Sequence, residues 1–407
     1  MKEPKIRFKG FRGEWEIEKI GNFSTSFSGG TPTAGVPAYY GGNIPFIRSG
    51  EIHEDKTELS LTEKGYNNSS AKIVEIGTLL YALYGATSGD VAISKIQGAI
   101  NQAILAITPY KLVETDFLAD FLLCNKNKIV GELLQGGQGN LSGSLVKDIN
   151  VAYPCISEQQ SISSYFQHLD SLIQSTTKKI ESLKQVKAAS LQSMFPQVGE
   201  TTPRVRFKGF KGEWEKVLIG KMGVTYSGLS GKTKDDFGFG EARFITFLNV
   251  LTNAKINTSI LEPVNVNRDE HQNEVRKGDL LFNTSSETPE EVGMCAVMDE
   301  ELEKVYLNSF CFGFRVTDNN IDPTCVAYMM RSHIGRLIMS ILAQGATRYN
   351  LSKNSFCKAV LVLPKNIAEQ RAIASYFTTL DSQITLQTQR LEKLKQIKSA
   401  CLDNMFV

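Results

Sequence analysis

The chain has 407 residues, 42% of them hydrophobic, and a formal net charge of +2; this is too long for one typical core and predicts two folded domains with connecting elements. No apolar run reaches the roughly 18 residues that would span a bilayer, and no apolar stretch follows the charged N-terminus as it would in a secretory leader. The seven cysteines are odd in number and never form a C-x-x-C pair, which predicts a reduced, cytoplasmic protein.

The chain opens on MKEPKIRFKGFRGEWE, and the phrase returns midway as PRVRFKGFKGEWE. Phe8 matches Phe207 and Trp15 matches Trp214, and these are the only two tryptophans; both are read as packing residues. The first block then runs as short strands punctuated by turns: SGGTPTAG, NIPFIRSGEI, GTLLYALYGATSGDVAISKI and GAINQAILAITP. A helical stretch, DFLADFLLCNKNKIVGELL, leads to the polar loop QGGQGNLSGS, a final strand and Pro154. Block one is bounded at 1–157.

Residues 158–195 predict one long helix, without internal Gly or Pro. Its apolar positions, Ile162, Phe166, Leu169, Ile173, Ile180, Leu183, Leu191 and Met194, alternate steps of three and four with Thr176 in the weak slot, the pattern of a coiled-coil seam. Residues 196–205 form a linker. Block two, 206–368, echoes the first: GDLLFNTSSETPEEVGMCAV, LNSFCFGFRVT, the helical PTCVAYMMRSHIGRLIMSIL and the polar loop QGATRYNLSKN. A second long helix, 369–407, aligns to the first without a gap, with 20 identities over 38 positions. Its seam is Ile373, Phe377, Leu380, Ile384, Leu391, Leu394, Leu402 and Met405, with Gln387 in the weak slot.

Two matched seams predict helices that pair with each other. Each is about 57 Å long at roughly 1.5 Å per residue, whereas a domain of this size is only about 35–40 Å across. A parallel pair would require block two to carry the chain back over the whole helix length; an antiparallel pair does not. The predicted class is therefore α+β, with two similar domains joined by two long helices in an antiparallel coiled coil with pseudo-two-fold symmetry.

Catalytic patterns are lacking. SGLSGKT ends like a P-loop, but Tyr226 stands where its first glycine should be. His53, His168, His271 and His333 are scattered without metal-ligand spacing. There is no G-x-S-x-G elbow and no N-P-P-Y motif, and the EDK at 54–56 reads as a solvated turn. Residues 16–150 carry −4 and residues 215–357 carry −3, so bulk charge gives no nucleic-acid signal.

Two divergent blocks, each followed by the same long helix opening E-Q-x-x-I, resemble the specificity subunit of type I restriction-modification systems. GGTPTAG with IPFIRSGEI, LLYALYGATSGDVAI, and the NLS loop running through strand and proline into EQQSI carry the resemblance, which covers essentially the whole chain. It implies a non-catalytic subunit with two target recognition domains, each reading half of a split sequence in double-stranded DNA. The helices would act as spacer and as docking surface for two modification (methyltransferase) subunits, with restriction/translocase subunits completing the complex. No cofactor is expected on this chain; S-adenosylmethionine, ATP and Mg belong to the partner subunits, and no membrane is involved. The alternatives are a non-enzymatic scaffold with two protein-binding modules, or the specificity partner of a fused restriction-methylation enzyme. A scaffold with duplicated function would keep the same loops twice, whereas a reader of two half-sites needs loops that differ, as these do.

Base readout calls for forked or hydrogen-bonding side chains on groove-facing loops. The candidates are Thr31, Arg48, Tyr84, Thr87, Ser88, Gln138 and Asn140 in block one, and Arg243, Asn283, Thr284, Ser285, Glu287, Arg348, Tyr349 and Asn350 in block two. Arg348 stands out because the counterpart loop QGGQGNLS has no arginine, so the shared frame does not require it. For helix pairing and partner docking the candidates are Leu169, Ile173, Ile180, Leu183, Leu380, Ile384, Leu391 and Leu394.

Overall fold

The structure, a computed structural model, describes residues 3–133, 140–267 and 269–407. Contacts divide it into two compact units, Met1–Thr177 with Gln389–Val407, and Lys178–Thr388. Each unit thus takes part of both long helices. Among the described residues no helix is long and apolar enough to cross a membrane.

Unit one is organised around an antiparallel sheet in the order Ser24–Ser28, Ile104–Pro109, Leu79–Ala82, Val91–Ile93. The central strand LLYA is buried throughout. Leu79 and Tyr81 join a core with Trp15, Phe117 and Phe121, while Leu80 and Ala82 join another with Ile47, Ile52 and Ile100. With both faces covered, the strand reads as a continuous apolar run instead of alternating. A second sheet runs Ser60–Leu61, Tyr40–Ile47, Gly98–Ile100, Lys72–Val74, and Glu16–Lys19 pairs with Asn150–Tyr153.

Unit two repeats this frame. Its main sheet runs Gly223–Ser227, Cys311–Val316, Leu280–Asn283, Cys295–Val297, its second Glu262–Val264, Phe237–Ile245, Val305–Leu307, and Glu215–Leu218 pairs with Val360–Leu363. Leu280 and Phe282 again face one core and Leu281 another. In both units the chain leaving the first strand of the main sheet presses against the second sheet. A Cβ on Gly29 would lie 1.9 Å from the Ile100 carbonyl oxygen, and one on Gly228 2.0 Å from that of Asn308. Hence Gly228, the first glycine of SGLSGKT, serves packing. Lys232 of the same stretch is ion-paired to Glu270 at 2.6 Å, and Tyr226 Oη donates to buried Asp279 at 2.7 Å.

Several elements differ from the sequence-based expectation. Each predicted helical stretch is two helices: Thr115–Cys124 and Lys126–Leu133 in unit one, Pro323–Arg331 and His333–Leu342 in unit two. In unit two the break is Ser332, whose extended backbone lets its hydroxyl accept from Gly335 N–H and start the next helix. Before each final strand the polar loop winds into a short helix, Gly143–Lys147 and Lys353–Lys358. The long helices span Ile156–Ser193 and Ile367–Met405. They begin two residues earlier than predicted, because nothing after the preceding proline obstructs the first turn. The first ends before Met194 and Phe195, which are buried in the core of unit two.

The two sequence repeats meet in a lock. Arg7, in RFKGFRGEW, grips Glu158 of the long helix through Nε and an Nη at 2.7 Å each, and donates to the Gly13 carbonyl at 2.6 Å. Arg206, in RFKGFKGEW, grips Glu369 at 2.6 and 2.8 Å and donates to the Gly212 carbonyl at 2.6 Å. The next residue of each helix closes the frame. Gln159 donates to the Leu112 and Pro154 carbonyls and accepts from Glu114 N–H; Gln370 donates to the Asn320 and Pro364 carbonyls and accepts from Asp322 N–H. The E-Q signature is thus a junction between lead-in segment, domain and helix. Trp15 and Trp214 are buried against Phe117 and Phe195, respectively.

Within unit one, Phe166 stacks on Phe406 with ring centroids 5.9 Å apart, Asp170 pairs with Lys398, and Tyr165 contacts Cys401. Within unit two, Phe377 stacks on Phe195, also at 5.9 Å, Asp381 pairs with Lys187, and Tyr376 contacts Ser190. These are the same three contacts with the roles of the helices exchanged. Of the eight residues named for helix pairing, Leu169, Ile180 and Leu380 are buried, and Ile173, Leu183, Ile384, Leu391 and Leu394 are half-buried.

Candidate nucleic-acid interface

In each unit the chain leaving the central strand of the main sheet forms a turn, and the loop after the helical pair returns beside it. Leu141 N–H donates to the Leu83 carbonyl at 2.9 Å in unit one, and Leu351 N–H to the Thr284 carbonyl at 2.8 Å in unit two. Leu141 and Leu351 are both buried, so each return is anchored by one apolar side chain and one backbone bond. Two loops far apart in sequence therefore form one surface.

In unit one this surface carries Tyr84, Thr87, Ser88 and exposed Asn140. Tyr84 Oη donates to the Gln102 carbonyl at 2.6 Å, and the Gln102 side chain accepts from Thr31 Oγ1. Exposed Gln102, predicted to lie in a strand, thus ties Thr31 to Tyr84. The hydroxyls of Thr87 and Ser88 reach the Tyr84 and Leu83 carbonyls at 3.4 and 3.3 Å, bracing the turn. Gln138 lies outside the described residues.

Thr31 and Arg48 line one cup of about 460 Å³ with Tyr40, Phe46 and Leu59. The Arg48 guanidinium is gripped by Glu51 at 2.9 and 3.0 Å and also by Glu58. This pairing holds the Glu51 carboxyl down at about 2. Arg48 is therefore a neutralised strut, and contact with a base would require it to leave two carboxylates.

In unit two the expected clusters at 283–287 and 348–350 lie side by side: Ser285 pairs with Asn350 and Ser286 with Tyr349 across two short antiparallel strands. Exposed Arg348 donates Nε to Ser285 Oγ at 3.3 Å. Thr284 is half-buried, while Glu287 and Asn350 are exposed. Asn283 departs from its expected role. It is fully buried, donating to the Ser285 and Glu291 carbonyls and accepting from Met294 N–H at 2.6 Å, so it shapes the turn from beneath. Arg243 is exposed on the other sheet, in the strand Phe237–Ile245.

Below this surface, Arg336 donates to the Glu290, Val292 and Gly293 carbonyls, and burial pulls its pKa down to about 10. It stays charged at neutral pH and fixes the turn. Nothing in the local sequence marks it, because the carbonyls it serves lie more than forty residues away.

The arrangement offers hydroxyls, amides and one guanidinium on rigid turns, chemistry suited to hydrogen bonding an ordered polar partner. Two segments, residues 12–185 and 212–396, match the family described as the type I restriction modification DNA specificity domain. The specificity subunit of the type I restriction enzyme MjaIX, from Methanocaldococcus jannaschii, is 28% identical over 211 residues, 49% of this chain and 46% of the relative; the match thus spans about half of that relative's length. The MjaVIII specificity subunit of the same organism is 20% identical over 413 residues, 96% of this chain and 91% of the relative. Among solved structures, the S subunit of a type I restriction-modification system from M. genitalium superposes with a TM-score of 0.63 at 14% identity, covering 100% of this chain and 99% of that one. The likeness in fold runs the length of the chain and the family match falls once on each repeat, so the chain belongs to the type I restriction modification DNA specificity domain family and carries its domain twice.

Proposed function

We propose that this chain is the non-catalytic specificity subunit of a type I restriction-modification complex, in which each unit reads one half of a bipartite DNA target. The observation that carries this reading is a frame repeated in both units with unlike residues on its paired turns: Tyr84, Thr87, Ser88 and Asn140 in one, Thr284, Ser285, Glu287, Arg348, Tyr349 and Asn350 in the other. Thr31, Arg48 and Gln138 extend the first set and Arg243 the second, Arg48 only on leaving its two carboxylates. The target recognition domains are 1–157 and 206–368. Residues 158–195 and 369–407 form an antiparallel coiled coil through Leu169, Ile173, Ile180, Leu183, Leu380, Ile384, Leu391 and Leu394, which relates the domains by a pseudo-two-fold axis, sets half-site spacing, and docks two methyltransferase subunits on the faces beside that seam. The reciprocal contacts of the two helices support that geometry. S-adenosylmethionine, ATP and Mg are bound by the methyltransferase and restriction subunits. The recognition blocks are slightly acidic, and phosphate neutralisation dominates DNA affinity, so this chain binds DNA weakly without the partner subunits.

A domain exchange tests this. Replacing residues 16–157 with the first domain of another family member should change one half of the methylated sequence, read by long-read sequencing of methylated adenines in the host genome, and leave the other half intact. Change in both halves together would refute independent readers.

A further inference from the structure

One turn on the candidate surface is built alike in both units but carries unlike residues, Gln102 and Ala103 in one and Ser309 and Phe310 in the other. It joins the strand Gly98–Ile100 to Ile104–Pro109 in unit one, and Val305–Leu307 to Cys311–Val316 in unit two. In unit one, Asn101 Oδ1 accepts from Ala103 N–H at 3.1 Å, and the Ala103 carbonyl accepts from Leu83 N–H at 2.8 Å. In unit two, Asn308 Oδ1 accepts from Phe310 N–H at 2.8 Å, and the Phe310 carbonyl accepts from Thr284 N–H at 2.9 Å. The same frame holds Ala103 at 7% exposure and Phe310 at 60%.

The fold does not require that ring, since alanine completes the equivalent turn. Nor is the turn loose: Asn308 is buried and its amide donates to the Ile245 carbonyl at 3.0 Å. A large apolar side chain is therefore held in water by a rigid support, forgoing the stabilisation that burial would bring. The Phe310 carbonyl accepts from Thr284 N–H, and the Thr284 carbonyl accepts from Leu351 N–H, so the backbone that carries the ring adjoins the loop of Arg348 and Tyr349. An apolar ring set among hydrogen-bonding groups matches one feature of the major groove: thymine alone presents a methyl group there.

We propose that Phe310 reads a thymine in the half-site of unit two by packing its ring on the C5-methyl group. This rests on the DNA-reading function proposed above. It requires that the half-site contain at least one A·T pair.

The test uses the full chain assembled with its modification subunits, and duplexes in which each thymine of that half-site is replaced in turn by deoxyuridine, which lacks only the methyl. Wild type should lose about four-fold in affinity at one position, the worth of roughly one buried methyl, and Phe310→Ala should lose nothing further there. Phe310→Leu, which keeps an apolar contact, should retain part of the sensitivity. Equal uracil sensitivity in wild type and Phe310→Ala would overturn the proposal, as would a half-site without an A·T pair. If Phe310→Ala keeps the wild-type melting temperature but no longer assembles with the modification subunits, the ring is a protein contact and the proposal fails. A wild-type complex without any sequence preference would instead overturn the DNA-reading function itself.

Discussion

Asp120 is one residue through which the stability of unit one depends on pH. It occupies in unit one the place that Tyr328 holds in unit two, within LAD and VAY of the equivalent helices. Tyr328 donates its hydroxyl to Asp381 at 2.8 Å, beside Lys187. The counterparts of these two in unit one are Asp170 and Lys398, themselves paired. Burial pushes the Asp120 carboxyl up to about 8, against the pull of Lys398 and helped by Asp170 and Asp116. The unfolded chain releases this proton near the ordinary 3.8, while the folded chain holds it until about 8. Its contribution to stability is therefore complete below about pH 4 and is lost as pH rises toward 8. Asp120→Asn, neutral and still a donor, should gain about 1–3 kcal/mol over wild type at pH 8.5 and little at pH 5. Melting temperatures of both proteins across that range check it; a gap that does not change with pH would sink the idea. The candidate residues were legible unevenly for a related reason. Exposed loop side chains such as Arg348 and Asn140 could be chosen by type and setting. Asn283 has the same chemistry but lies under the turn, and Arg48 is neutralised by Glu58, ten residues further along.

At the scale of elements, the lock between lead-in segment and helix explains why RFKGF and E-Q recur together. Glu158 and Glu369 are 1% and 2% exposed, and each holds a forked guanidinium. Truncating one partner of such a pair leaves a buried charge without compensation, typically a loss of roughly 3 kcal/mol. Arg7→Ala and Arg206→Ala, which leave the buried carboxylates unpaired, should therefore each destabilise the protein by about that amount in chemical denaturation. Arg7→Ala should not add fully to Glu158→Ala, since both remove one interaction. A loss below about 1 kcal/mol in both single variants would show the lock to be structurally minor.

At the scale of the whole molecule, each long helix belongs in part to both units. If the helices act as the proposed spacer, adding or removing four residues within 176–187 and within the matching 387–398 should change the unread gap between half-sites. About one helical turn is involved, some 6 Å along the axis. An active variant that methylates the unchanged motif would count against the spacer role. Assembly with the methyltransferase subunits is measured alongside, so that methylation lost through failed docking is told apart from a change of spacing.

The sequence by itself determined the duplication, the two long helices, the continuous apolar run of the central strand and the loops on which the candidate residues stand. Each rests on local periodicity or on comparison of one half with the other, and neither needs coordinates. Only the tertiary structure decided which side chains meet. The Arg7–Glu158 pair joins residues 151 positions apart, and the alignment of the Ser285 and Asn350 strands brings two loops into one surface. The role of Gln102 as the link between Thr31 and Tyr84 belongs to the same class. Burial and partner choice depend on how sheets stack and where loops return, and these are set by packing across the chain. For that reason a polar residue in a loop can be named from sequence, but its freedom to meet a ligand is settled by the fold around it.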